Sequence, residues 1–357
     1  MSKKNPALKE FLSRDAEAES VADLRSQVRV LERRLRKTQS REATIVEAVQ
    51  SALAASPPVL RVPPTPRRGR GRYDEIAILH LSDTQIGKIT KSYDTQVAEE
   101  RVLLAVQKAA YIADLRRKIA RVDEIHVYLG GDMIEGEDIF PHQAHEIDSS
   151  LFDQACVNAP RIFSRAILTA LEHFPRVKVL CVAGNHGRNG PKSTRANPLT
   201  NWDRVTYQVL LATLLGTKEA PRKELRSRLE FIAPEDFYVV DRVFDWGNLM
   251  VHGHQISGGF AGFPWYGAGK KAWGWIDAID EKWDNLLFGH FHTPAMATLG
   301  YRRFYANGTT ESDNEFAKEQ LAAAGDPCQR LLFMDAKHGV VSDTLLYLTK
   351  RKPNLRR

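Results

Sequence analysis

The sequence predicts an α/β protein in which a sandwich of two sheets is flanked by helices. Short apolar runs alternate with helical stretches in the middle of the chain, which is typical of β-α-β crossovers and a largely parallel sheet. Later strand-like runs follow one another without long helices between most of them, which indicates a second sheet. With 357 residues, 43% of them hydrophobic and 27% charged, the chain has a globular composition and enough length for a sizeable core.

The predicted core elements begin after residue 72. The first half supplies a strand, a helix, a strand, a helix and a strand: Ile76–Leu81, Thr95–Ala120, Ile125–Leu129, Leu151–His173 and Val177–Val182. The later strand-like runs are Asn248–Val251, Asn285–Phe288, Arg303–Ala306, Arg330–Met334 and Thr344–Leu348. We therefore expect one domain over residues 73–349.

The residues on either side of this domain are predicted to be extensions. Residues 1–54 form a helical arm, whose apolar positions recur with 3-4 spacing over residues 21–52. That pattern indicates either an exposed amphipathic helix or a short coiled coil that makes a homo-oligomer. Residues 55–72 hold five prolines followed by four arginines and predict a semi-rigid basic linker, and residues 350–357 form a basic tail.

The formal net charge of +7 is unevenly distributed. Residues 1–72 hold 16 Lys and Arg against 8 Asp and Glu, and residues 350–357 hold five basic residues and no acidic one. Residues 73–349 consequently carry a net charge of −6. Basic extensions on an acidic body favour a nucleic-acid partner that is contacted by the ends of the chain.

Three classes of protein are excluded by composition. No apolar run approaches the length of a membrane span. Residues 1–14 are polar and lack the apolar region of a secretory signal, so we expect a cytoplasmic protein. The three cysteines are far apart and in no CxxC pair, which excludes a disulfide framework and a zinc-thiolate site.

Polar clusters follow five of the predicted strands at the points where they end. The segments are Ser82-Asp83-Thr84-Gln85, Gly130-Gly131-Asp132, Gly184-Asn185-His186, His252-Gly253-His254 and Gly289-His290-Phe291-His292. Because the carboxyl ends of strands in an α/β sheet meet along one edge, we expect these side chains to lie together. Carboxylates, amides and imidazoles without thiolates favour a pair of divalent metals such as Mn, Fe or Zn.

In order and spacing these segments resemble the signature of the calcineurin-like metallophosphoesterases, D-x-H, GD, GNH[DE], H and GHxH. The resemblance covers residues 76 to about 310 and implies that superfamily's four-layer α/β/β/α sandwich. The chain is more similar to the DNA-repair nuclease branch and to phage-encoded relatives than to the protein phosphatases, although the motifs alone do not separate these branches.

The resemblance also implies a role for each residue. The first metal would be held by Asp83, Gln85, Asp132 and His292, and the second by Asp132, Asn185, His252 and His290. A hydroxide activated by the two metals would attack phosphorus. His186 would orient the phosphate and protonate the leaving oxygen.

The chain departs from the family pattern at two positions. Gln85 stands where the family usually has histidine, so we expect a weaker first site or a preference for a harder ion such as Mn²⁺. Gly187 follows the GNH motif where the family often has an acidic residue, so the support of the His186 imidazole must come from elsewhere or is missing.

Residues next to the predicted site suggest a polymeric substrate. Arg188, Lys192 and Arg195 lie in a basic loop that can contact further phosphates, and His254 is a second candidate contact. A second predicted loop over residues 258–275 interleaves aromatic residues with lysines, which favours stacking on unpaired bases, or else anchors a helix to the core.

Three functions remain open from the sequence. The first is a metal-dependent phosphodiesterase on DNA, as an exonuclease or single-strand endonuclease. The second is a phosphatase or phosphodiesterase on a small molecule or phosphoprotein. The third is a non-catalytic nucleic-acid-binding scaffold, in which Gln85 and Gly187 mark a decayed site.

Overall fold

The structure is a computed structural model that describes residues 28, 30, 43–56, 58–67, 69, 71–140, 143–190, 200–217, 220–257, 263–314 and 325–349. The chain divides into two compact units, residues 1–48 and 49–357. In the first unit the described residues 28, 30 and 43–48 are helical. Most of the predicted coiled coil over residues 21–52 lies outside the described residues, as does the basic tail.

Eleven strands are seen in the described part of the second unit. They are β1 (Asp74–Leu81), β2 (Arg121–Leu129), β3 (Arg176–Cys181), β4 (Leu229–Ile232), β5 (Tyr238–Val243), β6 (Trp246–Val251), β7 (Asn285–Phe288), β8 (Ala295–Leu299), β9 (Arg302–Ala306), β10 (Cys328–Asp335) and β11 (Gly339–Tyr347). One sheet has the order β11-β10-β1-β2-β3-β4, and the other has the order β5-β6-β7-β9-β8. Strands β1 to β4 are parallel, as are β6, β7 and β9, so their carboxyl ends share an edge.

In the described part of this unit, residues 49–55 end a helix that begins in the first unit. The later α-helices there are α1 (Thr95–Arg116), α2 (Ala159–His173), α3 (Trp202–Leu215), the short α4 (Lys223–Arg226) and α5 (Trp265–Ala278). The side chain of Asp94 caps α1 by accepting a hydrogen bond from the backbone N–H of Val97. Asn201 caps α3 in the same way through the N–H of Asp203. A π-helical turn over Asp153–Asn158 precedes α2.

The two sheets pack face to face, and helices cover their outer faces. Apolar side chains of β1, β2, β3 and β10 meet those of β5, β6, β7 and β9 in one buried cluster between the sheets. A second cluster joins the other face of β6, β7 and β9 to the buried side of α5. Helices α1 and α2 pack on the first sheet. These layers confirm the predicted α/β/β/α sandwich.

The predicted loop over residues 258–275 is wrong in its second half, because residues from Trp265 onward form α5. The glycines at 267, 269 and 274 argue against a helix in the sequence, since glycine has a low helix propensity. Gly267 is required by packing: a Cβ there would lie 1.9 Å from the carbonyl oxygen of Ser257. Burial of the adjacent helix face outweighs the propensity of the glycines.

The proline-rich segment lies along the body of the second unit. Arg222 donates a 2.7 Å hydrogen bond to the carbonyl oxygen of Pro58, and Arg228 donates one of 2.7 Å to that of Pro63. No helix in the described part of the chain combines the length and apolar character that a membrane crossing needs.

Candidate metal centre

The predicted ligands gather where the parallel strands of both sheets end. Five of them adopt a left-handed backbone conformation: Asp83 (φ 54°), Gln85 (φ 39°), Asp132 (φ 53°), His290 (φ 70°) and His292 (φ 52°). This conformation is unfavourable for residues other than glycine and persists only where neighbouring contacts impose it. The strand-end loops are therefore held in a fixed shape that turns their side chains toward one another.

Asp203, near the start of α3, ties two of these loops together. Its carboxylate accepts hydrogen bonds from the backbone N–H groups of Asp132 (3.0 Å), Met133 (3.1 Å) and Gly184 (2.8 Å). Burial, and after it the charge of Asp132, raises the pKa of Asp203 to about 6 against the opposing effect of these bonds. A Cβ at Gly184 would lie 2.1 Å from Oδ1 of Asp132, so glycine is needed for the loops to meet.

The second predicted metal group is the more compact of the two. Ligand atoms of Asp132, His252 and His290 lie within 4.8 Å of one another. Nε2 of His252 is 2.9 Å from Oδ2 of Asp132 and 3.2 Å from Oδ1 of Asn185. These four residues are the ones that the sequence assigned to this metal.

The hydrogen positions on His252 suit a cation between these atoms. Nδ1 of His252 lies 2.9 Å from the carbonyl oxygen of Gly130, which can only accept, so Nδ1 carries a hydrogen. Nε2 then faces the oxygens of Asp132 and Asn185. A divalent cation would accept lone pairs from all three atoms.

The pKa of His252 agrees with this description. Burial lowers it, but the charge of Asp132 and the contact with its carboxylate outweigh burial and raise the pKa to about 9. Without a metal the ring can therefore hold a second proton at Nε2, and metal binding would release it. His290 behaves differently, since burial and the neighbouring His252 lower its pKa well below the usual value. The His290 ring is neutral, as a metal ligand must be.

The first predicted metal group consists of Asp83, Gln85 and His292 beside Asp132. Nε2 of His292 is 3.3 Å from Oδ1 of Asp83, and it is 3.4 Å from Nε2 of the Gln85 amide. Oε1 of Gln85 is buried and accepts no hydrogen bond from the described residues. Gln85 therefore keeps an unused oxygen next to the other ligands, and this site also fits a cation.

Glu311 orients His292 from behind. Nδ1 of His292 lies 2.6 Å from Oε1 of Glu311, which places the ring hydrogen on Nδ1 and leaves Nε2 to face Asp83. Burial lowers the pKa of His292, but Glu311 outweighs it and raises the pKa to about 10. The charge of His292, opposing burial, in turn lowers the pKa of Glu311.

His186 has a carboxylate partner despite the glycine at 187. Its Nδ1 donates a 2.9 Å hydrogen bond to the carbonyl oxygen of Glu135 and lies 3.3 Å from Oε2 of the same residue. Nε2 of His186 is 4.0 Å from Oδ2 of Asp132, so it faces the centre. A Cβ at Gly187 would lie 2.2 Å from Oδ1 of Asn201 and 2.8 Å from the backbone nitrogen of Asp203, so a side chain there would have to displace the start of α3.

Lys88 bridges the two supporting carboxylates. Its Nζ lies 3.2 Å from Oε2 of Glu311 and 3.7 Å from Oε1 of Glu135. Burial lowers the pKa of Lys88, but the two carboxylates outweigh it and raise the pKa. One buried ammonium group thus balances the acids that hold His186 and His292.

Two of the predicted substrate contacts lie beside the second metal group. The ring centroid of His254 is 5.5 Å from the centroid of His252 and 6.3 Å from that of His290. Burial lowers the pKa of His254 to about 3. Nε of Arg188 donates a 2.7 Å hydrogen bond to the carbonyl oxygen of Asn185. Lys192 and Arg195 lie outside the described residues.

The residues that sequence analysis missed all lie behind the ligands: Lys88, Glu135, Asp203 and Glu311. Glu135 carries a usable signal, since it follows Asp132 by three residues in the same loop. Asp203 and Glu311 carry none, because their contacts are with residues far away in the sequence. Only the folded structure shows which ligand each one supports.

No family model matches the sequence, and no curated protein matches it. Several solved structures are similar in part. A Vps29 single mutant from Entamoeba histolytica is 11% identical, with a TM-score of 0.34 over 75% of this chain and 98% of the other. A predicted phosphoesterase from Streptococcus pneumoniae is 14% identical, with a TM-score of 0.28 over 76% and 98%. The YfcE phosphoesterase from E. coli is 9% identical, with a TM-score of 0.33 over 76% and 99%.

The two-sheet fold and the strand-end site match the calcineurin-like metallophosphoesterase pattern that the motifs suggest. The strand-end segments of Asp83, Asp132, Asn185, His252 and His290 come in the order of that signature, and they meet at one place. The order of the segments thus agrees with the resemblance seen in the sequence and does not separate the branches of that superfamily.

Proposed function

We propose that this protein is a metal-dependent phosphodiesterase that acts on DNA as an exonuclease or single-strand endonuclease. The observation that carries the proposal is the position of Asp132. Its Oδ2 is buried and lies 2.9 Å from Nε2 of His252. A buried carboxylate oxygen this close to an imidazole nitrogen shares a proton with it in the metal-free protein and is placed to share a cation with it instead.

Two divalent metals at this place would act as Lewis acids on the phosphoryl oxygens and would lower the pKa of a water molecule. Asp83, Gln85 and His292 would hold the first ion, and Asn185, His252 and His290 the second. The Asp132 carboxylate lies with the second group, and its carbonyl oxygen accepts a 3.0 Å hydrogen bond from the backbone N–H of Gln85 in the first group, so Asp132 is the candidate bridge. Oxygen ligands predominate around the first ion, which favours Mn²⁺ over Fe or Zn.

His186 would hold the proton that the leaving oxygen needs. Burial lowers its pKa, but the charges of Glu135 and Asp132 outweigh burial and raise the pKa to about 9, so the ring is protonated at neutral pH. Nδ1 is engaged with Glu135, so the proton available for transfer is on Nε2, the atom that faces the centre. This arrangement suits a general acid.

The support for DNA comes from charge. Residues 73–349 have a net charge of −6, while both extensions are basic. Contacts from such extensions to phosphates are independent of sequence and weaken with salt. Arg188 adds a cation next to the metal groups. A homo-oligomer through residues 21–52 and a cytoplasmic location remain predictions.

Parallel assays separate the alternatives. The full chain in Mn²⁺ should cleave labelled DNA, single-stranded or double-stranded, and should also hydrolyse bis-p-nitrophenyl phosphate. Hydrolysis of the small ester without cleavage of either DNA would exclude the nuclease and favour a small-molecule or phosphoprotein substrate. Elemental analysis that finds no bound metal at millimolar Mn²⁺ would favour the decayed scaffold.

A further inference from the structure

The outward face of α5 exposes large aromatic side chains. The helix buries Gly267, Ala268, Gly269, Ala272 and Trp275 on the second sheet. On its other side Tyr266 is 75% exposed and Trp273 is 66% exposed. Since positions i, i+4 and i+7 lie on one side of a helix, Tyr266, Lys270 and Trp273 form a single stripe.

The stripe also carries positive charge. Lys270 is exposed between the two aromatic residues, and Lys271 is exposed on another side of the helix. Neither lysine forms an ion pair within the part of the chain that the structure describes. Tyr266 and Trp273 are seven residues apart, about 10 Å along the helix axis. We name Tyr266, Lys270 and Trp273 the α5 stripe.

A series of ring contacts connects the start of α5 to the metal centre. The ring centroid of the predicted ligand His290 lies 5.0 Å from the ring centroid of Phe291, which in turn lies 5.3 Å from the ring centroid of Phe263. Phe263 in turn lies 4.4 Å from Trp265, the first residue of α5, which is 36% exposed. The start of α5 is therefore connected to the metal centre through three successive ring contacts.

We propose that the α5 stripe binds single-stranded nucleic acid and guides it to the metal centre. Unpaired bases stack on exposed Tyr and Trp rings regardless of sequence, and lysines beside them contact the phosphates. A second copy of the chain is the alternative occupant, and the native mass of the protein tests it. The inference rests on the proposed function and narrows its substrate to unpaired strands.

Binding can be measured without catalysis. The full chain is titrated in EDTA with a fluorescently labelled oligothymidylate, while hydrolysis of bis-p-nitrophenyl phosphate is measured separately in Mn²⁺. We expect Trp273→Ala and Tyr266→Ala each to weaken binding of the oligothymidylate about tenfold. Tyr111→Ala is the matched control, because Tyr111 is 65% exposed on α1, in the opposite outer layer. It should bind like the wild type, and all three variants should hydrolyse the ester normally.

Unchanged binding in both α5 variants would overturn the inference. So would a fall in native mass on Trp273→Ala, which would assign this face to a second copy of the chain. If the wild-type protein hydrolyses the ester but does not bind the oligothymidylate, the inference is overturned, and the proposal that the protein is a phosphodiesterase still stands. A protein that binds the oligothymidylate through the stripe but hydrolyses nothing would support the inference and overturn the proposed function.

Discussion

Nδ1 of His186 lies 2.9 Å from the carbonyl oxygen of Glu135 and 3.3 Å from its carboxylate Oε2. The residue that supports the imidazole thus comes from the loop of Asp132 instead of the position after the GNH motif. Four residues behind the ligands, Lys88, Glu135, Asp203 and Glu311, make similar contacts. Glu135 supports His186, Glu311 supports the ligand His292, Asp203 holds the loop backbone of Asp132, and Lys88 pairs with both glutamates. Substitution of these supporting residues therefore tests the centre as well as substitution of the ligands does.

Glu135→Gln should lower kcat for bis-p-nitrophenyl phosphate about 10- to 100-fold, the range for removal of a group that orients a functional side chain. The carbonyl contact to His186 remains, but the charge that favours the protonated ring is lost. The Mn²⁺ content should not change, since Glu135 contacts no predicted ligand of either metal in the described residues. Glu172→Gln, on the exposed side of α2, is the control. An unchanged kcat would show that Glu135 does not support catalysis through His186.

Lys88→Met should destabilise the protein by about 3–5 kcal/mol, because it leaves Glu135 and Glu311 buried without their common cation. Urea unfolding measures this free energy. Lys337→Met, at an exposed lysine in the turn before β11, should change it by less than about 0.5 kcal/mol. Equal effects of the two substitutions would show that Lys88 does not balance the buried acids.

Gln85→His should tighten binding of the first Zn²⁺ or Mn²⁺ ion, because it replaces a neutral amide by the imidazole that the family pattern has at this position. Isothermal titration calorimetry on the metal-free chain measures the two affinities. Gln96→His, at an exposed position of α1, controls for an added histidine. Weaker binding in Gln85→His than in the wild type would contradict the assignment of residue 85 to the first metal.

A buried ion cluster between the sheets predicts a pH dependence of stability. Asp241 on β5 contacts Nδ1 of His126, accepts a 2.7 Å hydrogen bond from Tyr128, and lies 3.0 Å from Nζ of Lys178. Burial raises the pKa of Asp241, but His126 and Lys178 outweigh it and lower the pKa to about 2. Burial lowers the pKa of His126, but Asp241 and Glu124 outweigh it and raise the pKa.

The contribution of Asp241 to stability is therefore present above its unfolded pKa of about 3.9 and is lost as the pH falls toward 2. The contribution of the protonated His126 is present below about pH 6.5 and is lost as the pH rises through its higher pKa in the folded protein. Asp241→Asn should lower the free energy of unfolding by about 3 kcal/mol near pH 6 and flatten both slopes. Urea unfolding across pH checks this, and a variant with the wild-type pH profile would contradict it.

The sequence was most informative about the positions where strands end. Because parallel strands present their carboxyl ends at one edge, Asp83, Asp132, Asn185, His252 and His290 could be expected to meet before their distances were known. Their roles as ligands remain predictions. The alternation of strands and helices predicted the layers in the same way.

The parts that could not be predicted depend on contacts between distant residues. The glycines of α5 argue against a helix in the sequence because glycine has a low helix propensity. In the structure Gly267 is required, since a Cβ there would lie against the carbonyl oxygen of Ser257. Asp203 contributes through three backbone N–H groups on loops that are remote in the sequence. The missing acid at 187 suggests decay of the site, whereas the structure shows that a side chain there would have to displace Asn201 and Asp203 and that Glu135 supports His186.

Hydrolysis of bis-p-nitrophenyl phosphate in Mn²⁺ by the wild type and by Asp132→Asn tests the central claim most directly. The substitution keeps the shape of the residue and removes the charge that both predicted metal groups share. We expect Mn²⁺-dependent hydrolysis by the wild type and a loss to the background rate in Asp132→Asn. No hydrolysis by the wild type, or equal rates in the two proteins, would contradict the account of a phosphodiesterase built around Asp132.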